Sequence, residues 1–327
     1  MKINPINVTI ILLCLFISAS SFSQEKIIAT RLESNPIIIP ELLKGDNGNN
    51  INGPSLIKVP NWLENKLGKY YLYFGHHAGK YIRLAYANDL KGPWKVYEKG
   101  TLKLDDCICK NHLASPDILI DSINQKIAMY FHCPVNIIAD DGSKTSPQLT
   151  IRATSKNGID FISENQPLGD SYFRVFKWND DFYAIARTGK LYKSKDGISN
   201  FEKGPNPLKT VNEGYEVRHV AVLQKNNLLY VFYSRIGDMP ERIMASTILL
   251  NKDWKNWTAS PPITILESET NDEGVNEPLA KSESGKSIGK LHELRDPSIF
   301  EENGKVYLLY SIAGENGISI AELHFGK

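Results

Sequence analysis

A strand pattern that recurs five times constrains the fold of this chain more than any other feature. Each copy has an opening strand, an aromatic-rich second strand, a third strand and a polar or Trp-bearing turn, and no stretch of useful length has helical periodicity. Turn residues precede the second strands, as hairpins require. The predicted second strands are residues 70–74, 127–131, 182–186, 229–233 and 306–310. Five four-stranded units predict an all-β, five-bladed β-propeller.

The fifth unit needs a strand from elsewhere in the chain, because the sequence ends soon after its third strand at residues 318–322. An apolar segment near the N-terminus, either 27–31 or its neighbour 37–39, is expected to supply the outer strand and close the ring. The sequence therefore predicts a single propeller domain over residues 24–327.

The N-terminus is typical of an export signal. Met1 and Lys2 precede an apolar run at 8–17, and small residues follow at 18–24, so we expect a signal peptide at 1–23 with cleavage near Ser23 or Gln24. The run is shorter than the roughly 20 residues of a membrane span. A net charge of +1 shows none of the excess positive charge that is typical of proteins that bind nucleic acids or membranes. The predicted protein is soluble and periplasmic or secreted.

Cysteine use predicts at most one disulfide in the exported chain. Cys107, Cys109 and Cys133 remain after the predicted signal, and we expect Cys133 to pair with Cys107 or Cys109. These cysteines and His112 are also zinc-type ligands, but the Cys-x-Cys spacing is tighter than that of most zinc sites. We therefore expect no cofactor and no metal.

Propeller geometry predicts where the site lies. The starts of the first strands and the ends of the second strands share one face, and titratable and cationic residues gather there in numbers that favour a functional site. The predicted set is His76, His77, His132, Tyr172, Arg174, Arg187, Arg218, His219, Arg235, Arg295, Asp117 and Asp296, with Glu277 in the loop before the fifth blade.

Blade number, length and the opening at Arg295, Asp296 and Pro297 resemble those of five-bladed glycoside hydrolases of the family 43 type. That resemblance implies catalysis by paired carboxylates. The first blade has Gly53-Pro54-Ser55 where such an enzyme would have an Asp-Pro opening, and the third has Tyr172 where an acid would stand. A hydrolase using Asp117, Glu277 and Asp296 is one alternative, and a non-catalytic sugar-binding propeller is another.

Residues 68–77, 112–117 and 129–132 resemble segments of propeller lyases that act on uronate polysaccharides, and of the oligosaccharide dehydratase found among ulvan-degrading enzymes of marine bacteria. This resemblance implies β-elimination from an anionic, ulvan-like oligo- or polysaccharide, and we take it as the leading prediction. His76 or His77 would handle the proton with His132 as partner, and Tyr172 would be the phenolic acid. The arginines and His219 would bind the substrate, Arg187, Arg218 and Arg235 as a carboxylate or sulfate clamp, with Asp117 and Asp296 orienting them.

Overall fold

The computed structural model describes residues 26–139 and 141–326 and confirms the five-bladed, all-β propeller. Each blade is a four-stranded antiparallel sheet. Blade 1 consists of Asn52–Lys58, Tyr70–Gly75, Arg83–Ala87 and Lys95–Tyr97. Blade 2 consists of Ala114–Asp121, Lys126–Pro134, Gln148–Ser155 and Ile162–Asp170, with a small hairpin of Ile137–Ile138 and Lys144–Thr145. The predicted signal peptide lies outside the described residues.

The remaining blades repeat this plan. Blade 3 consists of Arg174–Trp178, Asp181–Ile185, Leu191–Ser194 and Glu202–Lys203. Blade 4 consists of Glu216–Lys225, Leu228–Ile236, Ile243–Leu249 and Ile263–Leu266. Blade 5 consists of Arg295–Glu302, Lys305–Ser311, Ile318–Phe325 and the N-terminal Ile27–Arg31. Short 3-10 turns lie at Pro40–Leu42, Gly45–Gly48, Leu104–Asp106, Arg187–Gly189, Thr210–Asn212 and Trp254–Asn256.

The ring closes through the N-terminal strand, as the sequence predicts. Ile27–Arg31 pairs antiparallel with Ile318–Phe325, from Ile27 opposite Phe325 to Arg31 opposite Ala321. The alternative segment contributes only an isolated bridge between Ile38 and Ile318. Joining the two ends of the chain in one sheet leaves blade 5 with a full set of four strands, which protects the sheet edge that it would otherwise expose.

The core is divided among the interfaces between neighbouring blades. In the described part of the chain, one buried apolar cluster lies between each consecutive pair of blades, including blades 5 and 1. Trp94, Trp254 and Trp257 are buried in these clusters and pack neighbouring blades together. No helix within the described residues is long and apolar enough to cross a membrane. Because apolar contacts occupy the blade interfaces, the polar residues at the ends of the inner strands are left for the channel mouth.

Candidate functional site at the channel mouth

The first strands carry an irregularity at the end that faces the predicted site. Their register with the second strands shifts there in blades 1, 2, 4 and 5. Such bulges re-aim side chains and are frequent next to active sites. Four blades have a residue with positive φ at this point: Gly53 (56°), Ser115 (48°), Tyr172 (66°) and Asp296 (51°). Because residues other than glycine rarely adopt this conformation, the backbone is strained at Ser115, Tyr172 and Asp296.

Tyr172 lies at the centre of an aromatic stack. Its ring centroid is 3.9 Å from that of His132, at the end of the second strand of blade 2, and 4.0 Å from that of His219, in the bulge of blade 4. Burial raises the pKa of Tyr172 to about 12. Burial also holds the pKa of both imidazoles well below the usual value for histidine. At neutral pH the stack therefore consists of a protonated phenol between two uncharged imidazoles.

Asp296 supports this stack from the bulge of blade 5. The carboxylate is completely buried and accepts hydrogen bonds from the Gly53 amide and the Ser311 hydroxyl, both at 3.2 Å. Its other oxygen is paired with Nδ1 of His219, and Nε2 of His219 has no hydrogen-bond partner in the described structure. Through these contacts Asp296 fixes the orientation of the His219 ring.

A second histidine–carboxylate pair lies at the rim. Nδ1 of His77 is 3.0 Å from Oε2 of the buried Glu315, which follows the second strand of blade 5. The Asn50 side chain also bonds to Glu315, and the Ser287 amide donates to it at 3.3 Å. Burial alone would raise the pKa of Glu315, but the hydrogen bond from His77 and the positive charge of Arg295 lower it below its ordinary value. An ionised Glu315 fixes the hydrogen of His77 on Nδ1 and leaves Nε2 as the acceptor.

The sequence reasoning missed Glu315, although a signal for it was present. The rule that second-strand ends face the site identified His76 and His77 in blade 1. The same rule applied to blade 5 leads past Ser311 to Glu315. His76 itself uses its Nδ1 to accept from the Ala78 amide at 2.9 Å, and burial lowers its pKa to about 4. Of the two adjacent histidines, His77 is therefore the one with a carboxylate partner.

Arg218 and Arg295 are both paired with buried carboxylates of the protein itself. Arg218 is paired with Glu241 at 2.8 Å and bonds to the Ser282 hydroxyl and the Gly285 carbonyl. Arg295 pairs with Glu241 at 3.1 Å and Glu293 at 2.5 Å, and lies 3.6 Å from Glu315. All of these charged groups are buried.

The other predicted arginines also have carboxylate partners. Arg174 lies 3.7 Å from Asp117 and donates to backbone carbonyls of blades 2 and 4. Arg187 pairs with Glu216 at 2.8 Å, and Arg235 makes two bonds to Asp238, at 3.0 and 2.8 Å. A cluster that the sequence presents as five cations is thus a set of internal ion pairs in the folded chain.

Asp117 occupies the position in blade 2 that Ser55 occupies in blade 1, directly after the bulge. Ser55 accepts from the Ile118 amide of the next blade at 3.0 Å, and Asp117 accepts from the Val175 amide of the next blade at 3.0 Å. Asp117 therefore ties two blades together while remaining partly exposed to the channel. Burial raises its pKa above the usual value for aspartate.

Glu277 lies in the connection between blades 4 and 5 rather than on a strand. It is partly buried, and its carboxylate has no hydrogen bond or ion pair with any residue that the structure describes. Neighbouring parts of the same connection do reach the site, since Ser282 bonds to Arg218, and Ser284 bonds to Arg187 at 3.1 Å. The connection covers the mouth without bringing the Glu277 carboxylate into its network.

The cysteines form one disulfide, between Cys109 and Cys133, while Cys107 is free. This confirms the predicted single bridge and selects Cys109 as the partner. It anchors the strand end that carries His132 to the loop before blade 2. The described residues include no group of three or more histidine, cysteine or acidic side chains able to hold a metal.

Two grooves open on the same face beside the mouth. One, of about 870 Å³, is lined by polar residues between blades 3 and 4, and the other, of about 650 Å³, lies between blade 4 and Lys281–Ser284. Gly214, Tyr215 and Glu216 line both. Glu216 is also the partner of Arg187, a residue of the predicted site.

The chain is 35% identical over 329 residues to the uncharacterized protein R118 of Acanthamoeba polyphaga mimivirus, which covers 91% of each chain. No protein-family model matches the chain.

Several solved structures with this fold are glycoside hydrolases. An α-L-arabinofuranosidase from Lactobacillus brevis matches with a TM-score of 0.57 and 13% identity, covering 88% of this chain and 92% of that one. An endo-1,4-β-xylanase from Bacteroides thetaiotaomicron has a TM-score of 0.56 and 14% identity, covering 85% and 94%. A thermostable family-43 glycoside hydrolase has a TM-score of 0.56 and 15% identity, covering 84% and 89%. The structural resemblance to family 43 propellers is therefore confirmed.

These findings correct the leading functional prediction. The prediction of a carbon–oxygen lyase or dehydratase for an ulvan-like substrate is wrong, because the neighbours in structure are glycoside hydrolases. The physical reason for the error lies in the arginines. They suggested a site built for an anionic transition state, but their positive charges are already balanced by buried or half-buried carboxylates.

Proposed function

Because the chain belongs to the same family as the mimivirus protein R118 and shares its fold with glycoside hydrolases, we propose that it hydrolyses glycosides at the channel mouth. The observation that carries this proposal is the presence of two carboxyl groups on the site face: Asp117, directly after the bulge of blade 2, and Glu315, which is bonded to His77 at 3.0 Å. Their pKa values are displaced in opposite directions. Burial raises the pKa of Asp117, while Glu315 is held ionised behind His77. Glycoside hydrolysis needs one proton donor and one base, and divergent environments are how a single site provides both.

In the proposed reaction, Asp117 protonates the departing glycosidic oxygen. His77 accepts a proton from the attacking water through Nε2, and Glu315 stabilises the resulting imidazolium through Nδ1. Tyr172 keeps its proton and donates a hydrogen bond to a sugar hydroxyl. The reaction adds one water across the glycosidic bond, and the proton taken by His77 balances the one given by Asp117.

The residues at the starts of the first strands of blades 1 to 3 support a second candidate, a sugar-binding propeller without catalysis. They are Gly53, Ser115 and Tyr172, none of which is a carboxylate. A chain of this kind would bind oligosaccharides and release no products.

Substrates with different leaving groups test the assignment of Asp117. Asp117→Asn keeps an oxygen for the Val175 amide but has no proton to donate. It should slow cleavage of xylo- or arabino-oligosaccharides by roughly 10²–10⁴-fold. Cleavage of the corresponding p-nitrophenyl glycosides should fall much less, because nitrophenolate departs without protonation. Equal losses on both substrates would contradict the role of Asp117 as an acid.

The base is tested by His77→Ala and Glu315→Gln. His77→Ala should abolish turnover of both substrate types, and Glu315→Gln should reduce it and shift the acidic limb of the pH profile. His324, an exposed histidine on the third strand of blade 5, provides the matched control, and His324→Ala should behave like the parent chain. Full activity of His77→Ala would refute the proposed base. The substrates tested include uronate-substituted xylo-oligosaccharides, because three positively charged residues, Lys190, Lys203 and Lys209, line the larger groove.

We further propose that the protein works outside the cytoplasm. The signal-like N-terminus supports this, as does the Cys109–Cys133 disulfide, since such bonds persist in oxidising compartments. Fractionation of cells that express the full chain, with mass determination of the mature N-terminus, tests this proposal. A cytoplasmic protein with an intact N-terminus would contradict it.

A further inference from the structure

Tyr215 is an exposed aromatic residue on the site face, between the two grooves. It lies in the connection between blades 3 and 4, directly before the first strand of blade 4, and 46% of its surface is exposed. It lines both grooves beside the channel mouth. Gly214 and Glu216, its neighbours in the chain, also line both grooves, so this segment forms the boundary that the two grooves share.

The ring is held in place by a buried ion pair. The Arg235 guanidinium lies 4.1 Å from the ring centroid of Tyr215. Two hydrogen bonds that this guanidinium donates to Asp238 fix its plane, and both charged residues are buried. An exposed tyrosine alone needs no explanation. A tyrosine supported by a rigid, buried Arg–Asp pair has little rotamer entropy left to lose when a ligand binds.

The groove walls carry neutral hydrogen-bonding groups among charged ones. Asn206 and Thr210 line the larger groove and Ser284 lines the smaller one, together with lysine and glutamate side chains. Hydroxyl and amide groups around an exposed aromatic face are complementary to a sugar ring, which has apolar C–H faces and a rim of hydroxyls.

Both grooves include Glu216, the ion-pair partner of a residue of the predicted site. Glu216, which follows Tyr215 in the chain, is paired with Arg187, and Arg187 in turn bonds to Ser284. The volumes of about 870 and 650 Å³ lie within the usual range for ligand pockets. A saccharide bound at the channel mouth can therefore continue over Tyr215.

We propose that Tyr215 is the stacking platform of a distal sugar-binding site, which makes the protein select for oligosaccharides over disaccharides. This inference rests on the proposed function for the identity of the ligand. It assigns Arg235 to support of the platform, which explains why this arginine is paired with Asp238.

Binding is measured by calorimetry with xylo-oligosaccharides and arabino-oligosaccharides of two to six units. His77→Ala serves as the background, so that no substrate is consumed. Tyr215→Ala should weaken binding of the hexasaccharide roughly tenfold and leave disaccharide binding unchanged. Tyr215→Phe keeps the ring and should bind like the parent within about twofold. Ile123→Ala removes an exposed side chain from the opposite face and is the control for loss of surface area.

Three outcomes overturn the inference: equal hexasaccharide affinity in the parent and Tyr215→Ala, no gain in affinity with chain length, or no binding of any of these oligosaccharides. Failure of the proposed function has a different signature. Chain-length-dependent binding that needs Tyr215, combined with no cleavage by the unmodified protein, would retain the platform and reject the hydrolase.

Discussion

Replacing Glu241 by Gln tests whether the channel arginines are neutralised from within the fold. Glu241 is completely buried and shared by Arg218, at 2.8 Å, and Arg295, at 3.1 Å. It also accepts from the Ser234 hydroxyl and is bonded to Ser282 of the covering connection. Glutamine preserves the size of the side chain and removes its charge. Arg295 would keep Glu293 and Glu315, whereas Arg218 would keep only hydroxyl and carbonyl partners.

The expected cost follows from the buried state of Arg218. Breaking a buried ion pair by removing one partner costs about 3–5 kcal/mol, because the remaining charge stays desolvated. In a domain of about 300 residues that corresponds to a fall in Tm of roughly 5–8 °C. Glu98→Gln is the matched control, since the Lys44–Glu98 pair is 79% and 64% exposed, and it should cost less than about 1 kcal/mol.

Urea unfolding of both variants, followed by tryptophan fluorescence and by circular dichroism, measures the two costs. A Glu241→Gln cost no larger than that of Glu98→Gln would refute the reasoning. It would mean that Arg218 does not depend on an internal partner and is available to an external anion.

Two further predictions concern residues around His132. Because burial holds the pKa of His132 below that of an unfolded histidine, the unfolded chain binds the extra proton below about pH 6.5, and the free energy of unfolding should fall by about 1.4 kcal/mol per pH unit as the pH drops. Urea unfolding at pH 7.5 and 5.5 should show this loss in the parent and less of it in His132→Gln, and identical pH slopes would contradict it. The Cys109–Cys133 bond closes a loop with a sequence separation of 24, so replacing both cysteines by serine should cost about 3.5 kcal/mol on chain entropy. A change below about 1 kcal/mol in the same unfolding assay would show that the bond adds little.

The fold could be predicted from the sequence because the strands and turns of each blade follow one another closely in the chain. The aromatic second strands and their turns indicate five units, and the closing strand is predicted at 27–31 or 37–39; the structure selects Ile27–Arg31. The convergence of the site residues on one face could also be predicted, because antiparallel strands alternate in direction and this fixes which strand ends lie on the same face. Tyr172, His132 and His219 were named from that rule, and their rings are in contact.

The chemistry of the site was less accessible because it depends on pairings between distant segments. Glu315 reaches His77 across 238 positions, and Ser282 reaches Arg218 across 64. No spacing in the sequence indicates that Glu241 serves two arginines at once. Without these carboxylates, the arginines resembled a free anion site and favoured the wrong reaction class.

The mass of the products formed in H₂¹⁸O tests the central claim most directly. Xylo- and arabino-oligosaccharides and their uronate-substituted forms are incubated with the mature chain and with His77→Ala. The account predicts that each cleavage by the mature chain adds one water and places one ¹⁸O in the products, and that His77→Ala adds none. Products without ¹⁸O, or substrates that are bound and never cleaved, would contradict it.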